Sequence, residues 1–137
     1  RSSDILCDEY VQRRGLRHLE KGSVVIFAEG IGNPLFTTDT AGCLRAVEIG
    51  ADIVLKATKV DGVYDSDPVK NPDAVLYETL TFDEVLDKNL QVMDATAIVL
   101  CRDNNLPLRI FNLNKIGALP ETMKDKTIGT TVKIGDE

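Results

Sequence analysis

Hydrophobic and polar positions alternate along this chain in two rhythms, one helical and one extended. Residues 9–21, EYVQRRGLRHLEK, place Tyr10, Val11, Leu16 and Leu19 at helical spacing, which predicts an amphipathic helix stopped by Gly22. Residues 23–28, SVVIFA, form a continuous apolar run rich in β-branched side chains, the pattern of a strand covered on both faces. After a glycine-rich loop, a helix is expected from Thr38 to Ile49, with Gly50 at its stop. DIVLKAT, 52–58, reads as a second buried strand. The turn-rich stretch 59–80 predicts a hairpin, with Asp61-Gly62 as a strong turn signal. Thr81 with Glu84 three residues on is a capping-box pattern and starts a short helix. A further helix is expected from Asp94 to Asn104, then a third strand over 106–113. A shorter helix with Pro120 in its first turn and a final short strand, GTTVKIG, close the chain.

Strands alternating with helices imply an α/β layered domain around a mainly parallel sheet. At 137 residues, one domain is expected, without internal repeat, low-complexity segment or linker. Three strong strands and one weak one are few for a sheet covered on both faces. The chain also opens on Arg1 rather than methionine. Both features lead to the expectation of a partial domain, 1–137, cut from a larger one.

Composition narrows the function classes. With 22 acidic and 16 basic residues the formal net charge is −6, which argues against broad binding to a nucleic-acid backbone but leaves room for a small anionic ligand at a locally basic site. The three cysteines, Cys7, Cys43 and Cys101, show no metal-ligand spacing, so a disulfide framework or zinc site is not expected and a reducing cytosol fits best. Cys43 and Cys101 fall within apolar helical patterns and read as buried hydrophobes. No apolar run reaches membrane-spanning length. His18 is the only histidine and lies in a charged helix, which excludes triads built on histidine.

The candidate chemistry lies in the loops after the strands, where open α/β sheets bind ligands. EGIGNPLFTTD, 29–39, holds more than a turn requires. Gly30 and Gly32 allow close backbone approach, Pro34 stiffens the turn, and Asn33, Thr37 and Thr38 offer polar groups at a helix N-terminus, a chemistry that suits phosphate. A plain strand-to-helix turn with Thr38 or Asp39 as N-cap is an equal reading of the composition. KATKVDGVYDSDP, 56–68, brings two cations, Lys56 and Lys59, a flat ring at Tyr64, and Asp65 and Asp67, which can accept from ribose hydroxyls or hold water around magnesium. A solvated turn with a packed tyrosine is its plain alternative. In VMDATA, 92–97, Asp94 precedes small residues as a good N-cap.

Taken together, GNPLFTTD, which fits GNP-x-FTTD, LKATKVDGVYDSDP and VMDATA resemble the bacterial-type uridylate (UMP) kinases of the amino-acid kinase superfamily, over about Tyr10 to Val132. The resemblance implies a three-layer α/β/α sandwich with a mainly parallel sheet, of which this chain is the C-terminal, ATP-binding part. It implies phosphoryl transfer from ATP to UMP with Mg2+, giving UDP and ADP in pyrimidine nucleotide biosynthesis, in a cytoplasmic homohexamer subject to GTP and UTP effects, with no nucleic-acid or membrane partner. Ile31, Gly32, Asn33, Pro34, Leu35, Phe36, Thr37 and Thr38 match the UMP-binding segment. Thr58, Lys59, Tyr64 and Asp67 match the ATP site. Asp39 and Asp94 match acids near the phosphates, in catalytic positions where they orient lysines or metal-bound water, as positioning and charge neutralisation dominate this reaction.

The sequence departs from the family pattern at Glu29, where a small residue is usual, at Ile31 in place of threonine or serine, at Leu35 in place of phenylalanine and at Ile116 in place of proline. The family's N-terminal half, with its lysine-bearing glycine loop, has no counterpart in these residues. The expectation is therefore a part that is inactive alone, since losing a charge clamp removes several kcal/mol of transition-state stabilisation, and an exposed apolar edge where that half docks. Another amino-acid kinase acting on a carboxylate or carbamate, a non-catalytic nucleotide- or oxyanion-binding module, and a split enzyme are the competing readings.

Overall fold

The computed structural model describes residues 10–28, 30, 33–115, 117–125 and 127–135. Its elements run α1 (Gln12–Glu20), α2 (Thr38–Glu48), β1 (Val54–Thr58), β2 (Thr79–Thr81), α3 (Phe82–Asp87), α4 (Ala95–Asp103), β3 (Leu108–Asn112), α5 (Ala118–Lys124) and β4 (Thr130–Lys133). The strands form one four-stranded sheet in the order β1-β3-β4-β2. β1 pairs with β3 and β2 with β4 in parallel, while β3 and β4 are antiparallel. The sheet is therefore mainly parallel, as expected.

β3 is one of the two interior strands and is buried from Leu108 to Phe111. Because side chains alternate across a strand, Leu108 and Ile110 face one side. There they join a core with Cys43 of α2, Phe82 and Val85 of α3, and Ala97, Ile98 and Cys101 of α4. Arg109 and Phe111 face the other side, toward α5. The Arg109 guanidinium is only 6% exposed, yet it donates to the carbonyls of Thr122 at 2.8 Å and Asp125 at 3.3 Å and to the Thr131 hydroxyl at 3.2 Å. A buried cation is tolerated because the carbonyls at the C-terminal end of α5 receive its hydrogen bonds. Helices on both faces of the sheet give the three layers.

Local sequence explains the helix starts. Thr81 accepts from the Glu84 amide at 3.1 Å and Glu84 accepts from the Thr81 amide at 2.8 Å, closing the capping box. Asp94 caps α4 by accepting from the Ala97 amide at 3.0 Å. α2 is capped by Thr37, not by Thr38 or Asp39. Gly129 stands at φ +79° with the Ile110 carbonyl where a Cβ would point, so only glycine lets the chain enter β4 this close to β3.

Four expectations are corrected. Residues 23–28 form no ladder with any described strand; Val24 is 93% and Ile26 89% exposed. Only Val25 and Phe27 turn partly inward, and a cleft of about 390 Å3 lined by residues such as Phe27, Ala41, Ile49 and Val54 opens between this segment, α2 and β1. An apolar run signals what it needs as cover, but a strand exists only where a neighbour supplies its hydrogen bonds. β1 is likewise half-buried rather than buried. At α1, the N-cap residue Val11 is 46% exposed and Leu16 and Leu19 are half-buried, while Gly15 is the buried position. The segment docks instead through Tyr10, whose hydroxyl donates to Glu48 at 2.8 Å and whose ring lies under Arg45 at 4.0 Å. Finally, the hairpin in 59–80 turns between Tyr64 and Leu76, which form an isolated antiparallel bridge, and not at Asp61-Gly62. β2 went unforeseen, being three residues long and held by the remote β4.

Candidate functional site

The carboxyl ends of β1 and β3 lie side by side, with Thr58 opposite Asn112. The loops that leave these strands, and the N-termini of α2 and α4, gather most of the residues singled out in the sequence.

The first cluster forms where α2 begins. Asn33 folds the entering loop on itself: its side chain accepts from the Leu35 amide at 3.0 Å and its carbonyl from the Phe36 amide at 3.2 Å. Pro34 fits this turn, and Leu35 is left 88% exposed. The Thr37 hydroxyl accepts from the Thr40 amide at 3.2 Å and donates to Asp94. Thr40 donates to the same carboxylate at 3.1 Å. Asp94 thus caps α4 and ties the first turn of α2 to it. Partial burial works to raise its pKa, but hydrogen bonds from Thr37, the Ala97 amide and Thr40 outweigh burial and hold the carboxyl below the ordinary value.

Asp39, in the first turn of α2, is bridged to the sheet. Lys56, in the middle of β1, reaches Asp39 at 3.0 Å and the Val92 carbonyl at 2.8 Å. Both ionic side chains keep about a quarter of their surface in water, 25% for Lys56 and 30% for Asp39. A lysine on a half-buried strand thereby holds two loops together and keeps a cation beside the N-terminus of α2, whose first amides have no intrahelical partner. Sequence reasoning gave Lys56 only as general positive charge. The signal that distinguishes it is a lone lysine within the apolar run of VLKAT.

The second cluster lies past the end of β1. The Thr58 hydroxyl donates to the carbonyls of Val60 at 2.8 Å and Phe111 at 3.2 Å, and accepts from the Val60 amide at 3.1 Å. Asp61 accepts from Asn112 at 3.1 Å and pairs with Lys115 at 2.9 Å. The Lys115 contact first, and Asn112 second, hold the Asp61 carboxyl below its ordinary value. Asn112 and Lys115 were not foreseen as site residues. Lys59 is exposed and makes no ion pair among the described residues. Tyr64 is half-buried at its bridge to Leu76. Asp67 shapes its own turn, accepting from the Val69 amide at 2.9 Å with Lys70 4.0 Å away, and Asp65 accepts from the Val75 amide at 2.9 Å.

The geometry therefore unites Thr37, Asp39 and Asp94 with Lys56 and Thr40, and sets Thr58 beside Asp61 and Asn112. Thr38 is the first residue of α2. Ile31 and Gly32 lie outside the described residues, as do Glu29 and Ile116. Among the described residues no three His, Cys, Asp or Glu side chains are arranged to hold a metal ion. Nor is any helix of theirs long and apolar enough to cross a membrane.

The chain is 57% identical over 130 residues to the uridylate kinase of Methylococcus capsulatus, covering 95% of this chain and 54% of that protein. It is 61% identical over 126 residues to the uridylate kinase of Ectopseudomonas mendocina, covering 92% and 51%. The chain thus spans about half the length of the curated relatives it matches. Among solved structures, a UMP kinase from Bacillus anthracis superposes with a TM-score of 0.93 at 37% identity, over 96% of this chain and 55% of that one. A UMP kinase from Ureaplasma parvum gives 0.90 at 44% identity, over 95% and 56%. The sequence profile described as the Amino acid kinase family matches residues 6–112. The chain belongs to the amino acid kinase family.

Proposed function

We propose that these residues are the nucleotide-binding, C-terminal part of a UMP kinase, whose complete polypeptide transfers the γ-phosphoryl group of ATP to UMP. Asn33 to Thr38 and the segment before them hold UMP. Thr58, Lys59, Tyr64 and Asp67 hold the base and ribose end of ATP. Asp39 and Asp94 act as organisers: one fixes Lys56, the other fixes Thr37 and Thr40. Magnesium enters with the nucleotide and supplies charge neutralisation on the phosphates. Asp39 and Asp94 are the carboxylates that would orient water bound to it. Efficient turnover requires the rest of a polypeptide about twice this length, and the assembly is a homo-oligomer in the cytoplasm.

The observation that carries this reading is the Asp39–Lys56 ion pair beside the Asp94–Thr37–Thr40 cluster. It places an oriented cation and two hydroxyls at one helix N-terminus, the arrangement that a transferring phosphoryl group needs. Relatives named uridylate kinase at 57% and 61% identity supply the choice of acceptor.

Two experiments test it. In the full-length protein, Lys56→Met lowers kcat by about 100-fold or more, the usual scale for losing one oriented charge at such a site, with the fold intact by circular dichroism. UMP-dependent ADP release at the parent rate would overturn the role of Lys56. Calorimetric titration with Mg-ATP separates charge from shape at Asp67. Asp67→Asn keeps the acceptor for the Val69 amide but loses the charge, so weaker binding in that variant assigns Asp67 to the nucleotide, while unchanged binding leaves it a turn residue.

A further inference from the structure

α2 and α4 meet along a seam of small side chains. Cys43 of α2 and Ala97 and Cys101 of α4 are all 0% exposed. Ala97 and Cys101 are four residues apart, so they share one face of their helix. Small residues let two helix backbones approach closely. The two N-termini are also held in register by Asp94, which caps α4 and receives both Thr37 and Thr40 of α2. The result is that Cys43 Sγ and Cys101 Sγ stand 3.1 Å apart as free thiols, with Met93 Sδ 3.9 Å from Cys43. That separation is about 1 Å longer than a disulfide bond.

We propose that Cys43 and Cys101 form an oxidation site, closing to a disulfide that links α2 to α4 when the protein meets a peroxide. The site lies behind the polar cluster, within the core, and its chemistry is independent of the kinase reading. The order of events follows from the pair's asymmetry. The Cys101 thiol donates its hydrogen bond to Cys43, which holds the Cys43 thiol below its ordinary value, while the same bond and burial push Cys101 up. Cys43 is therefore the attacking sulfur. Its thiolate attacks one peroxide oxygen, the O–O bond breaks, and the departing hydroxide takes up a proton as water, leaving Cys43 as the sulfenic acid. Cys101 sulfur then attacks Cys43 Sγ, the S–O bond breaks, and the departing hydroxide takes the Cys101 proton as a second water. Two thiols and one hydrogen peroxide become one disulfide and two waters. Both thiols are fully buried, so the rate is set by local opening of the seam and rises in mild urea.

The test uses the full-length protein with Cys7→Ser, treated with hydrogen peroxide and quenched, then denatured and blocked with iodoacetamide before tryptic digestion. The expected product joins peptide 22–45 to peptide 89–102 with the loss of two hydrogens, and is reversed by dithiothreitol. In Cys101→Ser the same treatment leaves Cys43 as a sulfenic acid that dimedone captures. The oxidised parent melts higher than the reduced one, because the link shortens the unfolded chain's excursions between residues 43 and 101. The proposal is overturned if both thiols remain alkylatable at peroxide doses that fully oxidise added glutathione. It is equally overturned if Met93 becomes the sulfoxide while both thiols stay free, or if Cys43 pairs between molecules instead.

Discussion

Asp94 receives three donors at once, so two substitutions at this position separate its contributions. Asp94→Ala removes the N-cap of α4, which is worth about 1 kcal/mol. It also strands two hydroxyls. Thr37 is exposed and turns to water at little penalty, but Thr40 is only 6% exposed, and losing its partner costs about 1 kcal/mol, taken from the low end because the cluster is partly solvated. The sum is about 2 kcal/mol. Asp94→Asn keeps one oxygen for the Ala97 amide and for Thr40 and loses only the charge and the Thr37 bond, so it costs about half as much or less. Urea denaturation of the chain at neutral pH reads both values. The pH dependence supplies the sign. The folded Asp94 carboxyl titrates below its unfolded value, so its extra stabilisation is complete above the unfolded pKa of about 4 and disappears as pH falls through the folded pKa. The gap between parent and Asp94→Asn therefore begins to close below about pH 4 and is gone once the pH is below the folded pKa, where the carboxyl is neutral in both states. Equal destabilisation by alanine and asparagine, or a gap that persists into acid, would refute this account.

Three further outcomes follow from single contacts. Thr122→Val raises stability by about 1 kcal/mol in thermal melts, because the Thr122 hydroxyl is buried without a partner among the described residues and an apolar group of the same shape removes that penalty. Gly129→Ala lowers stability by more than 2 kcal/mol, by about the sum of a left-handed backbone strain and a Cβ driven into the Ile110 carbonyl, and the protein recovered from it shows lost exchange protection in β4. Thr81→Ala removes the capping box of α3 and costs about 1 kcal/mol, seen first as faster exchange at the Glu84 amide.

What was legible in the sequence was whatever depends on neighbours along the chain. Thr81 and Glu84 are three residues apart and specify a cap by themselves; so does Asp94 before Ala95. The helical period of 38–48 and the apolar runs at 54–58 and 108–112 needed no tertiary information either. The failures share the opposite property. TTD at 37–39 offers three capping side chains in a row, and Thr37 is selected because Asp94, 57 positions away, engages its hydroxyl. β2 is three residues of strand made by β4. SVVIFA has the composition of a covered strand, yet composition cannot say whether a ladder partner stands beside it.

The same distinction governs the candidate site. GNPLFTTD and VMDATA named Thr37, Asp39 and Asp94 correctly as polar groups placed at helix starts, but gave no reason to pair them. The pairing comes from Lys56, read in the sequence only as a positive charge, whose Nζ reaches Asp39 across 17 residues and Val92 across 36. A cation on β1 has to be neutralised where the strand is half-buried, and the available groups are the carboxylate in the first turn of α2 and a carbonyl just ahead of α4. Meeting that need draws both helix N-termini to one place. Asp94 then completes the cluster by serving as cap for its own helix and acceptor for its neighbour. The contacts that close the core around α2 and α4 are therefore the contacts that assemble the polar site. A substitution there should be read by stability and by turnover together, since a loss in one without the other identifies which of the two roles a side chain fills.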